Sequence, residues 1–279
     1  MFLSLKYGIL NIYVLSEVGK IKILAVGDVC GSVGCDYVRR VLPALKREKK
    51  IDMVIINGEN SADGNGITPD SANYLFSIGA DVLTGGNHSM RRNEVYDYLD
   101  RTDTCLRPHN LSEAQNGKGY CLCDFGRTQV AVINLSGKIF LERLGASCPF
   151  AAADELIEKA KTDGAKIIVV DFHAEATSEK RALGLYLDGK VSVFFGTHTH
   201  VQTADSQILE NGTGYITDLG MTGPVDSVLG VKKEIIINRL KDNDMSKFEL
   251  SNGKCMLNGC IFEVDENTGK TVNVERIYI

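Results

Sequence analysis

Five short segments of this 279-residue chain carry side chains that could hold a metal ion or move a proton. They are Gly27-Asp28, Gly58-Glu59-Asn60, Gly86-Asn87-His88, Asp171-Phe172-His173 and Gly196-Thr197-His198-Thr199-His200. Together they hold four of the five histidines in the sequence. Taken alone, each has an ordinary explanation. Asp28 could cap a helix, and a single His173 is more often a hydrogen-bonded core residue than a ligand. His198 and His200 are harder to dismiss, because imidazoles at i and i+2 beyond a buried strand can aim at one spot. The donors are oxygen and nitrogen, without thiolate. That set suits iron, manganese or zinc better than calcium, magnesium or copper(I). There are enough donors for two ions sharing a carboxylate. Two ions about 3.5–4 Å apart can clamp an in-line displacement at phosphorus and supply hydroxide at neutral pH.

These segments have something in common: each follows a short apolar run. Ile21–Val26, Asp52–Asn57 and Asp81–Thr84 read as buried strands, as do Lys166–Val170, Val191–Phe195 and Gly214–Thr217. Helical spacing is expected between them, over 35–49, from Pro69, near 93–100, over 151–161, over 178–187 with Ser178 as its cap, and over 231–240. Residues 119–135 read as a hairpin around Phe125-Gly126-Arg127-Thr128. The tail from Lys247 reads as antiparallel strands with turns at Asn252-Gly253, Asn258-Gly259 and Asn267-Thr268-Gly269. Alternating strands and helices predict an α/β fold with a largely parallel sheet. In such folds ligands bind beyond the carboxyl ends of the strands, which is where all five segments fall. The reading is one domain over 21–279 after an N-terminal extension, residues 1–20.

Composition narrows the function. Net charge is −5, with 31 basic and 36 acidic residues, which argues against a stable nucleic-acid partner held by a broad basic surface. No run of eighteen apolar residues predicts a membrane span. Eight cysteines occur without a C-x-x-C pair, so reduced thiols in a cytoplasmic protein are expected. The 28 glycines alongside only 5 prolines suggest tight turns and close backbone contacts rather than flexible linkers.

The ordered series Gly-Asp, Gly-Glu-Asn, Gly-Asn-His, His and Gly-x-His-x-His resembles the calcineurin-type metallophosphoesterase superfamily. Ile56–Asn60, Val170–Lys180, Gly196–Asp205 and Thr217–Pro224 are similar to its YmdB-like branch of 2′,3′-cyclic-nucleotide 2′-phosphodiesterases. The resemblance implies a four-layer α/β/β/α sandwich and homo-oligomers. It implies two divalent metal ions, iron first and manganese next. Asp28, Asn60 and His200 would hold one ion, Asn87, His173 and His198 the other, and Glu59 would bridge them. His88 would protonate the leaving oxygen. The implied substrate is a small phosphodiester, a 2′,3′-cyclic nucleotide with 3′,5′-cyclic nucleotides as a second class, opened by metal-hydroxide attack on phosphorus. A phosphatase or nuclease of the same fold, or a regulatory binding protein with a structural metal centre, are the alternatives.

The sequence departs from this pattern in two places. Ser89-Met90-Arg91 stands where relatives have Thr-Trp-Asp, so a carboxylate orienting His88 is expected to be missing or displaced to Glu94. His109, in Arg107-Pro108-His109-Asn110, replaces a small residue and reads as a rim histidine. Arg107 reads as either a phosphate contact or a surface ion pair, and Thr222-Gly223 as a turn.

Overall fold

The computed structural model describes residues 19–63, 65–111 and 116–279. All but the last two residues of the expected extension, 1–20, lie outside the described residues. β1 (Lys20–Val26) runs parallel to β3 (Met53–Asn57), and β3 runs parallel to β4 (Val82–Thr84). On the other side of β1, β13 (Asn258–Asp265) and β14 (Thr271–Tyr278) add antiparallel. A second sheet has the order β5 (Tyr120–Asp124), β6 (Gln129–Ser136), β7 (Ile167–His173), β8 (Val193–Thr197), β10 (Gly214–Ile216) and β9 (Gln207–Ile208). β6, β7, β8 and β10 are mutually parallel. A small third sheet joins β2 (Asp28–Val29), β11 (Met221–Pro224) and β12 (Cys255–Met256).

Side chains alternate along a strand, so a strand buried on both faces feeds two cores. Ile21, Ile23 and Ala25 of β1 pack between the two large sheets with Val130, Val132, Val169 and Phe195. Leu24 and Val26 face the other way, onto Val38, Leu42 and Leu45 of α1 (Gly31–Lys49) and Leu75 of α2 (Pro69–Ser77). Behind the second sheet, Ala131, Ile133 and Val170 meet Ala153, Leu156 and Ile157 of α4 (Pro149–Thr162) and Leu183 of α5 (Thr177–Tyr186). These three cores define four layers, α/β/β/α, as the resemblance implied. Among the described residues two further α-helices occur, α3 (Tyr96–Arg101) and α6 (Lys233–Asp242). Among the described residues, no helix is long and apolar enough to cross a membrane.

Several local expectations are corrected. Asn258-Gly259 is not a turn but the start of β13. Its glycine is needed because a Cβ there would lie 2.5 Å from the Ala25 carbonyl oxygen. Thr222 and Gly223 sit in β11 rather than in a turn. Ser178 lies inside α5, whose N-cap is Ala176 with no side-chain bond. β7 continues past Val170 to His173, because Asp171 finds buried hydrogen-bond donors. The Asn267–Gly269 turn is present, with the Asp265 carboxylate accepting the Asn267 and Thr268 N–H groups.

Candidate metal centre

The inward faces of the strands change character at their carboxyl ends. Met53 and Ile55 lead to Asn57, Val82 to Thr84, Val169 to Asp171 and His173, and Val193 and Phe195 to Thr197. The apolar core between the sheets is therefore capped by a buried polar layer. Its centre is Asp171, fully buried. One carboxylate oxygen accepts from Thr197 Oγ1 at 2.7 Å, and the other accepts from Asn57 Nδ2 at 3.1 Å and from the Thr84 hydroxyl. Burial raises its pKa to about 6, against the pull of those donors.

Thr197 gives its only hydroxyl proton to Asp171, so the contact at 2.9 Å with His173 Nδ1 must be donated by the ring. His173 then aims Nε2 at the site; burial opposes the charged ring, but the nearby Glu59 carboxylate outweighs it and raises the His173 pKa, so Nε2 would give up a proton on taking an ion. That atom lies 3.3 Å from Glu59 Oε2, 3.0 Å from His198 Nδ1 and 2.8 Å from Asn87 Oδ1. His198 is held from behind by Glu175, 2.9 Å from its Nε2. Burial, helped by neighbouring His173, lowers the His198 pKa to about 3, so the ring is neutral. Hydrogen-bonded partners of this kind orient and tune histidine ligands.

Donor atoms of Glu59, His173 and His198 form one group able to hold a metal ion, and those of Asp28, Glu59 and His200 form another. In each group the donor atoms lie within 4.8 Å of one another. Glu59 belongs to both, the position of a bridging carboxylate. Two observations show that the residues fit metal. Asp28 Oδ1 is buried with no hydrogen-bond partner, 3.8 Å from His200 Nε2 and 3.9 Å from His173 Nδ1. A buried acceptor left unpaired is costly unless a cation faces it. Also, a Cβ on Gly86 would lie 2.3 Å from both Glu59 Oε2 and His173 Nε2, so this glycine keeps the space between the donors clear. Burial, the largest effect, pushes Asp28 upward. Burial also pushes Glu59 upward, but the His173 and His88 imidazoles outweigh it and hold Glu59 well below the usual range.

Asn60 and His88 lie beside these groups. Asn60 Nδ2 is 2.9 Å from Glu59 Oε1 and 3.3 Å from His200 Nε2, while its Oδ1 faces His88 Nδ1 at 2.9 Å. A half-turn of the amide would bring its oxygen into the Asp28–Glu59–His200 group. His88 is 28% exposed and its backbone N–H donates to Glu59 Oε2 at 3.0 Å. Glu94 is exposed, and the group beside the His88 ring is the Asn60 amide, with Glu59 Oε1 3.5 Å away. Ser89, in place of the expected carboxylate neighbour, is buried and accepts the Gly86 N–H at 2.7 Å, tying the loop that carries Asn87 and His88.

His198 and His200 both have positive φ, 104° and 64°. Such backbone is strained for non-glycine residues and persists where surroundings over-determine it. Here the surroundings are a buried ion pair. Asp218 Oδ2 accepts from Lys180 Nζ at 2.6 Å and from the N–H of Thr199, between the two histidines, at 3.0 Å. Gly196 lies within β8, close against its neighbours. A Cβ there would strike the Thr217 carbonyl oxygen, at 1.9 Å, and the Lys180 stem. Sequence reasoning missed Thr197, Glu175, Lys180 and the role of Asp171. Only Asp171 carried a signal, since i and i+2 share a strand face with His173.

All eight proposed site residues line one region, at the floor of a cavity of about 1150 Å³ that includes Glu59, Asn60, His88, His198 and His200. Arg107 and His109 lie elsewhere, at a separate cavity of about 660 Å³. Arg107 is buried and donates to the carbonyls of Asn116 and Pro108, and His109 Nε2 is 3.9 Å from Glu155.

This chain is similar to known proteins over most of its length. It is 47% identical over 258 residues to a 2′,3′-cyclic-nucleotide 2′-phosphodiesterase of Bacillus subtilis (strain 168), covering 92% of this chain and 97% of the relative. The crystal structure of a phosphatase from Mycoplasma pneumoniae superposes with a TM-score of 0.88 at 35% identity, covering 93% of each chain. A hypothetical protein from Thermus thermophilus superposes at 0.86 with 35% identity, covering 93% of this chain and 99% of that one. The family model described as YmdB-like protein matches residues 24–277. The chain belongs to the YmdB-like family, and its four-layer sandwich is of the metallophosphoesterase type.

Proposed function

We propose that this protein is a dimetal phosphodiesterase that opens 2′,3′-cyclic nucleotides, with 3′,5′-cyclic nucleotides as a second substrate class. The observation that carries the reading is the pair of donor groups sharing Glu59 around the unpaired Asp28 Oδ1. The 47% identical relative named for this activity supports the substrate. In this reading residues 21–279 work as one catalytic unit. Asp28, Asn60 and His200 hold one ion, Asn87, His173 and His198 the other, and Glu59 bridges. The donor set suits iron, with manganese next.

When bound, the ions supply Lewis acidity and an activated water. The residues do the rest. Asp171, through Thr197, keeps the proton of His173 on Nδ1 and its Nε2 lone pair aimed at the site. Glu175 does the same for His198 from the opposite side. Asn60 engages His88 Nδ1, which leaves Nε2 of the cavity-lining ring as the atom that can give a proton to a departing oxygen. The eight free thiols suit a reducing cytoplasm. Exposed Ile237 and Leu240 on α6 suit association of copies.

The test is product analysis with manganese- or iron-loaded protein. Adenosine 2′,3′-cyclic phosphate should yield the isomer carrying phosphate on O3′, faster than any phosphomonoester is cleaved. Preference for monoesters would move the reading to a phosphatase. Full metal occupancy without turnover of any ester would leave a binding protein.

A further inference from the structure

The cavity above the metal centre has a second wall that phosphorus chemistry does not require. Residues 229–252 build it. Val231 bridges to Leu250, Lys232 N–H donates to the Glu249 carbonyl at 2.9 Å, and Ser251 N–H donates to the Gly230 carbonyl at 2.9 Å. These bonds close a neck. Beyond it the chain runs out through α6 and returns. None of the residues of α6 is buried, so core formation does not explain the excursion.

What the excursion carries into the cavity is Arg239, Lys247 and Phe248. The Arg239 guanidinium carbon lies 4.1 Å from the centroid of the Phe248 ring, and Arg239 Nη2 donates to the Ser246 carbonyl at 2.7 Å. Arg239 Nε is buried without a hydrogen-bond partner. The cation therefore sits against the ring face at the cost of one of its own donors. Phe248 nevertheless stays 48% exposed. A large aromatic ring is backed by a fixed cation and left open in a cavity that also holds His88 and His200. That combination is a stacking surface, since an aromatic face binds any flat π system and a cation behind it adds to the attraction.

We propose that the Arg239–Phe248 stack is the platform for the nucleobase of the substrate whose phosphate lies at the metal centre. This rests on the phosphodiesterase reading above and adds the residues that select nucleotides over other cyclic phosphodiesters. Every base has a π face, so the platform accepts purines and pyrimidines alike.

The experiment compares two esters with the metal-loaded full chain: adenosine 2′,3′-cyclic phosphate, and glycerol 1,2-cyclic phosphate, which has the same strained ring and no base. The readout is the ratio of their kcat/KM values in wild type, Phe248→Ala, Phe248→Leu and Phe248→Tyr. The ratio should fall by roughly 5- to 150-fold in Phe248→Ala. It should fall comparably in Phe248→Leu, chiefly through KM for the adenosine ester, and stay near wild type in Phe248→Tyr. A ratio unchanged in Phe248→Ala, including parallel loss on both esters, overturns the platform. So does recovery in Phe248→Leu, which would show that apolar bulk alone is needed. Wild-type protein that cleaves neither ester overturns the phosphodiesterase reading itself, whereas cleavage of both with an unresponsive ratio removes only the platform.

Discussion

His88 is the residue whose role is most sharply testable. It lies one position after Asn87, and its backbone N–H is bound to Glu59, so removing the imidazole should leave the metal donors in place. With His88→Ala, turnover of an ester with an alkoxide leaving group should drop by roughly 10²–10⁴. An ester with a nitrophenolate leaving group needs no proton and should lose far less. Equal losses on both, or loss of metal, would contradict proton donation. The Thr197 hydroxyl makes a second case. Thr197→Val strips the proton acceptor from His173 Nδ1 and a donor from Asp171, both fully buried. Partners of this kind typically contribute about 10- to 100-fold in metal affinity. Titration with manganese should show a loss of that order in Thr197→Val and recovery in Thr197→Ser. Equal affinity in Val and Ser variants would show that the relay does not orient His173. The candidate donor residues were legible in the sequence because each stands at the end of a β-rich run. Thr197, Glu175 and Lys180 were not, because a hydroxyl or charge gains its meaning only from what folds against it.

At the scale of elements, the site depends on the loop after β8 being held in an unusual backbone shape. Lys180 of α5 and Asp218, both fully buried, hold it through the Thr199 N–H. Breaking a buried pair by removing one partner leaves an uncompensated charge and costs about 3–5 kcal/mol. Lys180→Met should show a loss of that size in chemical denaturation, together with weaker metal binding. The same change at exposed Lys161, paired with Glu158, should do little. Equal effects at the two sites would remove the pair from the account. The parallel strands and their helices were legible because apolar runs and helical spacing alternate along the chain. Asn258-Gly259 misled for a physical reason. The dipeptide suits a tight turn, yet here the glycine is demanded by the approach of β1, a contact from the opposite end of the chain and invisible to local pattern.

The whole molecule brings two sheets together so that the carboxyl ends of β1, β3 and β4 meet those of β7 and β8 over one polar layer. The eight cysteines are free, and burial pushes the thiols of Cys35, Cys105 and Cys260 up to about 12, so none of these is poised to react. Stability should therefore be indifferent to reductant. A large fall in Tm with a mild thiol, at constant metal occupancy, would reveal a disulfide that this fold does not need. The convergence of strand ends from both sheets is what makes two ions possible, because each donor group draws from both sheets and Glu59 is common to both. Elemental analysis of protein purified without chelators tests this most directly, on wild type, His173→Ala and His200→Ala side by side. Wild type should carry two ions per chain, and each variant should keep about one. A single ion in wild type, or variants that retain the full wild-type content, would contradict the shared-carboxylate centre.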